Sequence, residues 1–128
     1  MTEGILAGRN ILLVEDEFLI AHEVAEALRS ANACVVIARG VSDAARIIAS
    51  RKLSAAILDF RLGVSVDCLP ICGLLTERGV PFLLYTAYTL LEGAPNAPIL
   101  QKPAAPQRIT AAVADLIKNM MPMPRVAP

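Results

Sequence analysis

The chain has 128 residues, 55% hydrophobic and 19% charged, which is enough for one globular domain with a sizeable core. Its twelve basic and twelve acidic side chains cancel, and no lysine and arginine cluster suggests a surface for nucleic acid or a membrane. Because no segment resembles a signal peptide or reaches membrane-spanning length, we expect a cytoplasmic protein that binds neither nucleic acid nor a membrane.

Five short apolar runs predict the strands of a sheet. They are almost continuously apolar, as is typical of strands covered on both faces, and they span residues 10–14, 34–38, 54–58, 82–85 and 99–100. We expect residues 1–9 to be a flexible segment, residues 10–120 to form the domain, and residues 121–128 to be a proline-rich tail.

Amphipathic segments lie between these runs. Apolar residues recur at helical spacing in three places, namely at Ala21, Val24, Ala25 and Leu28, at Ala44, Ala45 and Ile48, and at Ile109, Val113, Leu116 and Met120. Helix starts are predicted at Ser42, at Asp67 with Pro70 in the first turn, and at Pro106. Strands that alternate with helices predict an α/β fold, a parallel sheet with helices on both faces.

The three cysteines do not suggest a zinc site. Cys68 and Cys72 are four residues apart, but Cys34 is remote in sequence and His22 is the single histidine. We interpret the cysteines as small packing residues.

Polar residues gather where the predicted strands end. Glu15 and Asp16 follow the first strand, Asp59 the third, Thr86 the fourth and Lys102 the fifth. Carboxyl ends of parallel strands share one sheet edge, so three carboxylates would meet there and require a cation, and their hard oxygen atoms suit Mg²⁺. A nucleotide site would instead need a phosphate cradle rich in glycine, serine or threonine after the first strand.

Each of these residues also has an ordinary structural interpretation. Thr86 could be a plain strand residue, Lys102 a solvated surface charge, and Glu15 with Asp16 an acid pair favoured at a helix N-terminus. The occurrence of all five at the ends of four predicted strands favours a functional site.

Four short motifs, in this order and at these strand ends, resemble the receiver domain of two-component response regulators. They are ILLVEDE, AAILDFRL, YTA and LQKP, and the resemblance spans residues 10–120. It implies a flavodoxin-like (βα)5 doubly wound sheet with strand order 2-1-3-4-5. It also implies that Asp59 is the phosphoacceptor and that Thr86 and Lys102 contact the phosphoryl group. Mg²⁺ would be bound by Asp16, Asp59 and the backbone carbonyl of Arg61, with Glu15 acting through water.

A narrower resemblance lies in PFLLYTAYTL, which is similar to the PFxFATGY signature of the FAT GUY receivers of alphaproteobacteria. Matches and replacements are both present: Pro81, Phe82, Thr86 and Tyr88 match, whereas Leu84, Tyr85 and Ala87 replace Phe, Ala and Gly. The resemblance implies a single-domain regulator linked to a histidine kinase, of the HWE type in many such systems.

The chain departs from typical receivers at the switch. Ile99 stands three positions before Lys102, where receivers carry an aromatic residue that rotates on phosphorylation. Tyr88 either substitutes for that aromatic residue or packs half-buried at the sheet edge, and both interpretations stay open. Ala87 leaves space for Thr86 to move inward.

The interval between the fourth and fifth strands is short. Thr86 and Lys102 are 102 − 86 = 16 positions apart, and Gly93, Pro95 and Pro98 interrupt the segment. We therefore expect the crossover helix, the fourth of the receiver fold, to be shortened or irregular. Leu90, Leu91 and Ile99 would then form an apolar patch for a partner or for a second copy in a homodimer, unless the last helix and the tail cover it.

These observations predict a stand-alone receiver that accepts a phosphoryl group from a histidine kinase or phosphotransfer protein, rather than an enzyme acting on other substrates. Its output would be contact with a downstream protein in a phosphorelay. One alternative is a pseudo-receiver that binds partners independently of phosphate. A phosphohydrolase of the haloacid dehalogenase type is disfavoured, because Arg61 stands where that chemistry needs a second aspartate.

Overall fold

A computed structural model of the protein describes residues 2–63, 66–87 and 95–120, apart from the side chains of residues 2 and 3. Five parallel strands form one sheet in the order β2-β1-β3-β4-β5, which confirms the predicted flavodoxin-like α/β topology. The strands are β1 (Asn10–Val14), β2 (Cys34–Ala38), β3 (Ala55–Leu58), β4 (Phe82–Thr86) and β5 (Ile99–Gln101).

Five helices lie in the described part of the chain. They are α1 (Thr2–Leu6), α2 (Phe18–Ser30), α3 (Val41–Ser50), α4 (Leu69–Glu77) and α5 (Pro106–Met120). The crossover helix predicted between β4 and β5 falls mainly on residues 88–94, which lie outside the described residues, as does the predicted tail. No helix among the described residues is both long and apolar enough to cross a membrane.

The sheet separates two hydrophobic cores, because successive side chains of a strand point to opposite faces. In β1, Ile11 and Leu13 belong to the core beneath α2 and α5, while Leu12 and Val14 belong to the core beneath α3 and α4. All four residues are at most 1% exposed. This double burial explains why the strand sequence is continuously apolar rather than alternating.

The N-terminal segment differs from the prediction of a flexible stretch over residues 1–9. Helix α1 occupies part of it and packs against α5, with Leu6 fully buried in the core beneath α2 and α5. The chain turns at Gly8, which has a φ of 74°, and the N–H of Gly8 donates to the carbonyl of Asn32 at 2.9 Å. Burial of Leu6 stabilises this short helix, which local sequence alone would not do.

One predicted helix start and one predicted core residue are also corrected. Helix α3 begins at Val41 with Gly40 as N-cap, so Ser42 lies within its first turn rather than capping it. Met120, predicted on the apolar face of α5, is the last residue of that helix and is 56% exposed. Pro106 begins α5 as predicted.

Asp67, predicted as the N-cap of α4, lies one position before the N-cap but still bonds a backbone N–H of the helix start. Cys68 is the N-cap residue, and the Asp67 carboxylate accepts a hydrogen bond from the N–H of Leu69 at 2.9 Å. Pro70 lies in the first turn, where its missing N–H costs no helical hydrogen bond.

Candidate functional site

The register of the sheet brings two of the predicted acids together. Val14 and Leu58 are paired across β1 and β3, so Glu15 and Asp59 leave the sheet side by side. The N–H of Asp59 donates to the carbonyl of Val14 at 3.0 Å, which continues the ladder to the start of the site. Both carboxylates are buried, Glu15 with 1% and Asp59 with 8% of its surface exposed.

Lys102 joins these two acids from the end of β5. Its Nζ donates to Glu15 Oε1 at 2.7 Å and to Asp59 Oδ2 at 3.0 Å. The other Glu15 oxygen, Oε2, accepts a hydrogen bond from the N–H of Glu17 at 3.3 Å. One ammonium therefore bridges two buried carboxylates that come from different strands.

The electrostatics follow from this shared cation. Burial raises the pKa of Glu15 to about 7, although the hydrogen bond from Lys102 lowers it, because a desolvated carboxylate is disfavoured in its charged form. For Lys102, burial lowers the pKa, but hydrogen bonds to Glu15 and Asp59 outweigh it and raise the pKa above its ordinary value. The lysine stays charged, and the site has more carboxylates than cations to neutralise them.

The acids provide a donor set that fits Mg²⁺. Glu15, Asp16 and Asp59 each place a carboxylate oxygen so that the three atoms lie within 4.8 Å of one another. These are hard oxygen ligands from chain segments next to one another, and Asp16 is exposed to solvent. A magnesium ion bound there would retain several waters, as this ion prefers.

Arg61 and Thr86 complete the residues predicted from the sequence. Arg61 is exposed and lies two positions after Asp59. Its backbone forms an isolated antiparallel β-bridge with that of Asp67. Thr86 is fully buried at the end of β4, next to β3, and its carbonyl accepts a hydrogen bond from the N–H of Lys102 at 2.8 Å.

The predicted switch and interaction residues are only partly described. Ala87 is exposed directly after β4, and Ile99 is 48% exposed at the start of β5. Tyr88, Leu90 and Leu91 lie outside the described residues.

Sequence reasoning overlooked Tyr85. This residue is 5% exposed, and its hydroxyl accepts a hydrogen bond from the N–H of Ala104 at 3.0 Å. Its ring centroid lies 5.7 Å from Lys102 Nζ. The only signal in the sequence is a polar-tipped aromatic residue in a strand predicted to be buried, since such a hydroxyl needs a hydrogen-bond partner.

Two of the three cysteines are the predicted packing residues, whereas Cys34 is exposed at the start of the edge strand β2 and the prediction is wrong for it. Cys68 and Cys72 are buried in the core beneath α3 and α4, with their sulfur atoms 3.7 Å apart and both thiols free. The hydrogen bond with Cys72 and, to a lesser extent, burial raise the pKa of Cys68. Neither thiol is part of the carboxylate cluster found among the described residues.

Comparison with known proteins gives structural matches only. No family model matches the sequence, and no curated protein is significantly similar to it. Among solved structures, a response regulator receiver protein of Sinorhizobium medicae superposes with a TM-score of 0.80 at 21% identity, covering 89% of this chain and 98% of that one.

Two structural matches have higher identity. SdrG of Sphingomonas melonis is 29% identical with a TM-score of 0.74, over 88% of this chain and 98% of that one. The receiver domain of the sensor histidine kinase PA1611 of Pseudomonas aeruginosa is 26% identical with a TM-score of 0.77, over 88% and 99%, and that structure has a magnesium ion in its active-site cleft. The chain thus has the fold of CheY-like response regulator receiver domains.

Proposed function

We propose that this protein is a stand-alone receiver, in which Asp59 accepts a phosphoryl group from a histidine kinase or phosphotransfer protein. The observation that supports this most directly is the cluster of Glu15, Asp16 and Asp59, with Lys102 bonded to Asp59, at the carboxyl edge of a receiver fold. Fold alone does not fix function, but these side chains supply the groups that phosphoryl transfer requires.

In the proposed reaction, an oxygen of Asp59 forms the new bond to phosphorus while the bond from phosphorus to the kinase imidazole nitrogen breaks. The imidazole keeps that electron pair, and its charge is later balanced by a proton from solvent. Glu15, Asp16, Asp59 and the backbone carbonyl of Arg61 would hold Mg²⁺, and the PA1611 receiver offers a precedent for magnesium in this cleft. The metal would supply positive charge for the phosphoryl oxygens.

In this proposal, Lys102 and Thr86 contact the phosphoryl oxygens. Lys102 binds Asp59 before transfer, so its ammonium is already beside the acceptor and needs only a short movement to meet a phosphoryl oxygen. Thr86 donates its hydroxyl hydrogen to another phosphoryl oxygen. Because the Thr86 carbonyl is bonded to the N–H of Lys102, a movement of Thr86 is transmitted to the lysine segment.

The proposed output is protein contact through the surface beyond β4 and β5. It comprises the predicted switch residues Ala87, Tyr88, Leu90, Leu91 and Ile99. Exposure of Ala87 and of Ile99 supports this assignment. We further propose a cytoplasmic single-domain regulator of the FAT GUY type, phosphorylated by an HWE-type kinase, that acts in a phosphorelay as a monomer or homodimer.

A second candidate is an interaction module that ignores phosphate. It is favoured by Ile99, an exposed aliphatic residue at the place of the usual aromatic switch. The two functions differ in whether the acids are chemically active, which a phosphorylation experiment decides.

The test is incubation of the purified protein with acetyl phosphate and Mg²⁺, followed by measurement of acid-labile phosphate by mass spectrometry and Phos-tag gels. We expect Asp59→Asn to abolish incorporation and EDTA to prevent it in the wild type, because the acceptor or the metal is then missing. The matched control is Asp115→Asn, the same change at an exposed position of α5.

Two outcomes would contradict the proposal. Acid-labile phosphate retained in Asp59→Asn would move the acceptor elsewhere. A wild type that takes no phosphate from either acetyl phosphate or an HWE-type kinase would favour the interaction module.

A further inference from the structure

The segment that carries Lys102 is attached to β4 at both of its ends. The N–H of Lys102 donates to the carbonyl of Thr86 at 2.8 Å, and the N–H of Ala104 donates to the hydroxyl of Tyr85 at 3.0 Å. Pro103, between them, has no N–H to donate. Both backbone donors of this three-residue segment are therefore used on two successive residues of one strand.

Tyr85 is well placed to hold this segment. Its side chain is 5% exposed and belongs to the core beneath α2 and α5, so packing fixes the ring and with it the position of the hydroxyl. Tyr85 is paired with Leu100 across β4 and β5, which sets the height of its ring relative to the end of β5. The ring also faces the Lys102 ammonium at 5.7 Å, within the range of a cation–π contact.

The site depends on an accurate placement of Lys102. Its Nζ contacts acceptors on two separate strands, Glu15 after β1 and Asp59 after β3, while its backbone lies at the far edge on β5. A lysine stem is long and rotatable, so its reach is set by where its backbone begins. Releasing one end of the segment would loosen the ammonium relative to both acids.

We infer that Tyr85 is a positioning residue of the phosphoryl site, which acts through Lys102 and not through contact with the phosphoryl group. Its hydroxyl anchors Ala104, and this holds the Lys102 ammonium beside Asp59. The inference rests on the proposed function, since the group that Lys102 is positioned to meet is the phosphoryl group on Asp59.

The first test compares the wild type with Tyr85→Phe, which keeps the ring and removes the hydroxyl. Affinity for the phosphoryl mimic beryllofluoride is measured at saturating Mg²⁺ by ¹⁹F NMR. We expect binding to weaken about two- to tenfold, the range that corresponds to loss of one hydrogen bond. The Mg²⁺ affinity, measured separately, should change less than twofold.

Thr76→Val is the matched control. It also removes a hydroxyl that makes one hydrogen bond, from Thr76 Oγ1 to the carbonyl of Cys72 at 2.8 Å, but near the C-terminal end of α4. We expect this variant to bind the mimic as the wild type does. An equal loss in both variants would show a general effect of stability and would overturn the inference.

The second test is a double-mutant cycle with Lys102→Ala. If Tyr85 acts through Lys102, removal of its hydroxyl should change mimic affinity less than about twofold once the lysine is absent. The same loss with and without Lys102 would show that Tyr85 acts by another route and would overturn the inference.

A third measurement does not depend on the proposed function. In the metal-free protein, Tyr85→Phe should speed hydrogen exchange of the Ala104 amide and shift the NMR signals of the Lys102 side chain. Unchanged Lys102 signals would overturn the positioning role. A wild type that fails to bind the mimic would instead contradict the proposed function, and the Lys102 signals would still decide whether Tyr85 holds the lysine.

Discussion

The most unusual residue of the site is Glu15, a carboxylate with 1% of its surface exposed. Its single lysine partner is shared with Asp59, so it is only half neutralised. Burying charge without full compensation costs free energy, and the raised pKa of Glu15 is the direct consequence. This uncompensated negative charge would favour binding of an additional cation at the site.

This residue leads to a prediction for stability against pH in metal-free protein. Between the ordinary pKa of 4.5 and the folded value of about 7, the folded state holds a proton on Glu15 that the unfolded state releases. The contribution of Glu15 to the free energy of unfolding should therefore fall as pH rises through this range, by at most about 3 kcal/mol. Urea unfolding followed by far-UV circular dichroism measures it.

Glu15→Gln serves as the control, because it removes the titrating group and keeps the shape. We expect the difference in stability between Gln and wild type to move in favour of Gln between pH 5 and pH 8. Saturating Mg²⁺ should reduce that change, since the metal stabilises the charged form. A difference that moves towards the wild type with rising pH would contradict the assignment.

At the scale of elements, α1 is the feature that the sequence pattern did not predict. A helix of five residues is too short for amphipathic periodicity to be visible, and isolated helices of this length are not stable in water. Its formation depends on Leu6, which is fully buried against the core and so links α1 to the sheet and to α5. Tertiary packing, rather than propensity, stabilises this helix.

Leu6→Ala should therefore destabilise the protein by about 2–4 kcal/mol, the usual cost of deleting a buried leucine side chain. The measurement is the midpoint concentration of urea unfolding, compared between variants whose unfolding free energy depends on urea concentration with the same slope. Leu19→Ala is the matched control, the same substitution at a leucine that is 76% exposed on α2, and it should change stability by about 0.5 kcal/mol or less. A small effect of Leu6→Ala would mean that α1 is not part of the cooperative unit.

At the scale of the whole molecule, the candidate site lies at one edge of the sheet and the hydrophobic cores lie on its two faces. Its carboxyl edge holds the acids, Lys102 and Thr86, whereas its remaining edge and both faces are apolar cores or ordinary loops. Lys102 is hydrogen-bonded to Glu15 after β1, to Asp59 after β3 and to the Thr86 carbonyl on β4, so these contacts connect Asp59 to β4 and β5. Under the proposed function, such contacts would be the physical route from Asp59 to the surface.

This arrangement predicts where the molecule responds. Addition of Mg²⁺ and beryllofluoride should shift backbone amide signals from Asp59 through Thr86 to Tyr88, Leu91 and Ile99. Amides of α1 and of the exposed edge strand β2 should change little, and they serve as internal references. Shifts confined to the acids would mean that the site binds the mimic without transmitting it. Shifts that reach β2 equally would indicate a general change of fold.

The sequence pattern by itself determined the alternation of the five strands with helices α2 to α5, the parallel α/β sheet and the acids at the strand ends, while the strand order came from the resemblance to receiver domains. These features depend on local apolar patterning and on the geometry of parallel sheets, which leave few ways to arrange alternating elements. It also located Lys102 at the edge, but assigned it to a phosphoryl group alone. Only the tertiary structure showed Lys102 bridging Glu15 and Asp59, because a contact between residues 87 positions apart depends on the register of several strands.

For the same reason, the roles of Tyr85 and of helix α1 were visible only in the tertiary structure. In sequence, Tyr85 is one more apolar residue of a buried strand, and its hydrogen bond to Ala104 exists only because β4 and β5 are neighbours. Helix α1 likewise depends on a core assembled from distant segments. Local pattern predicted the strands, the helices other than α1 and the sheet edge that carries the polar residues, whereas long-range packing decided the formation of α1 and how the side chains at that edge are held.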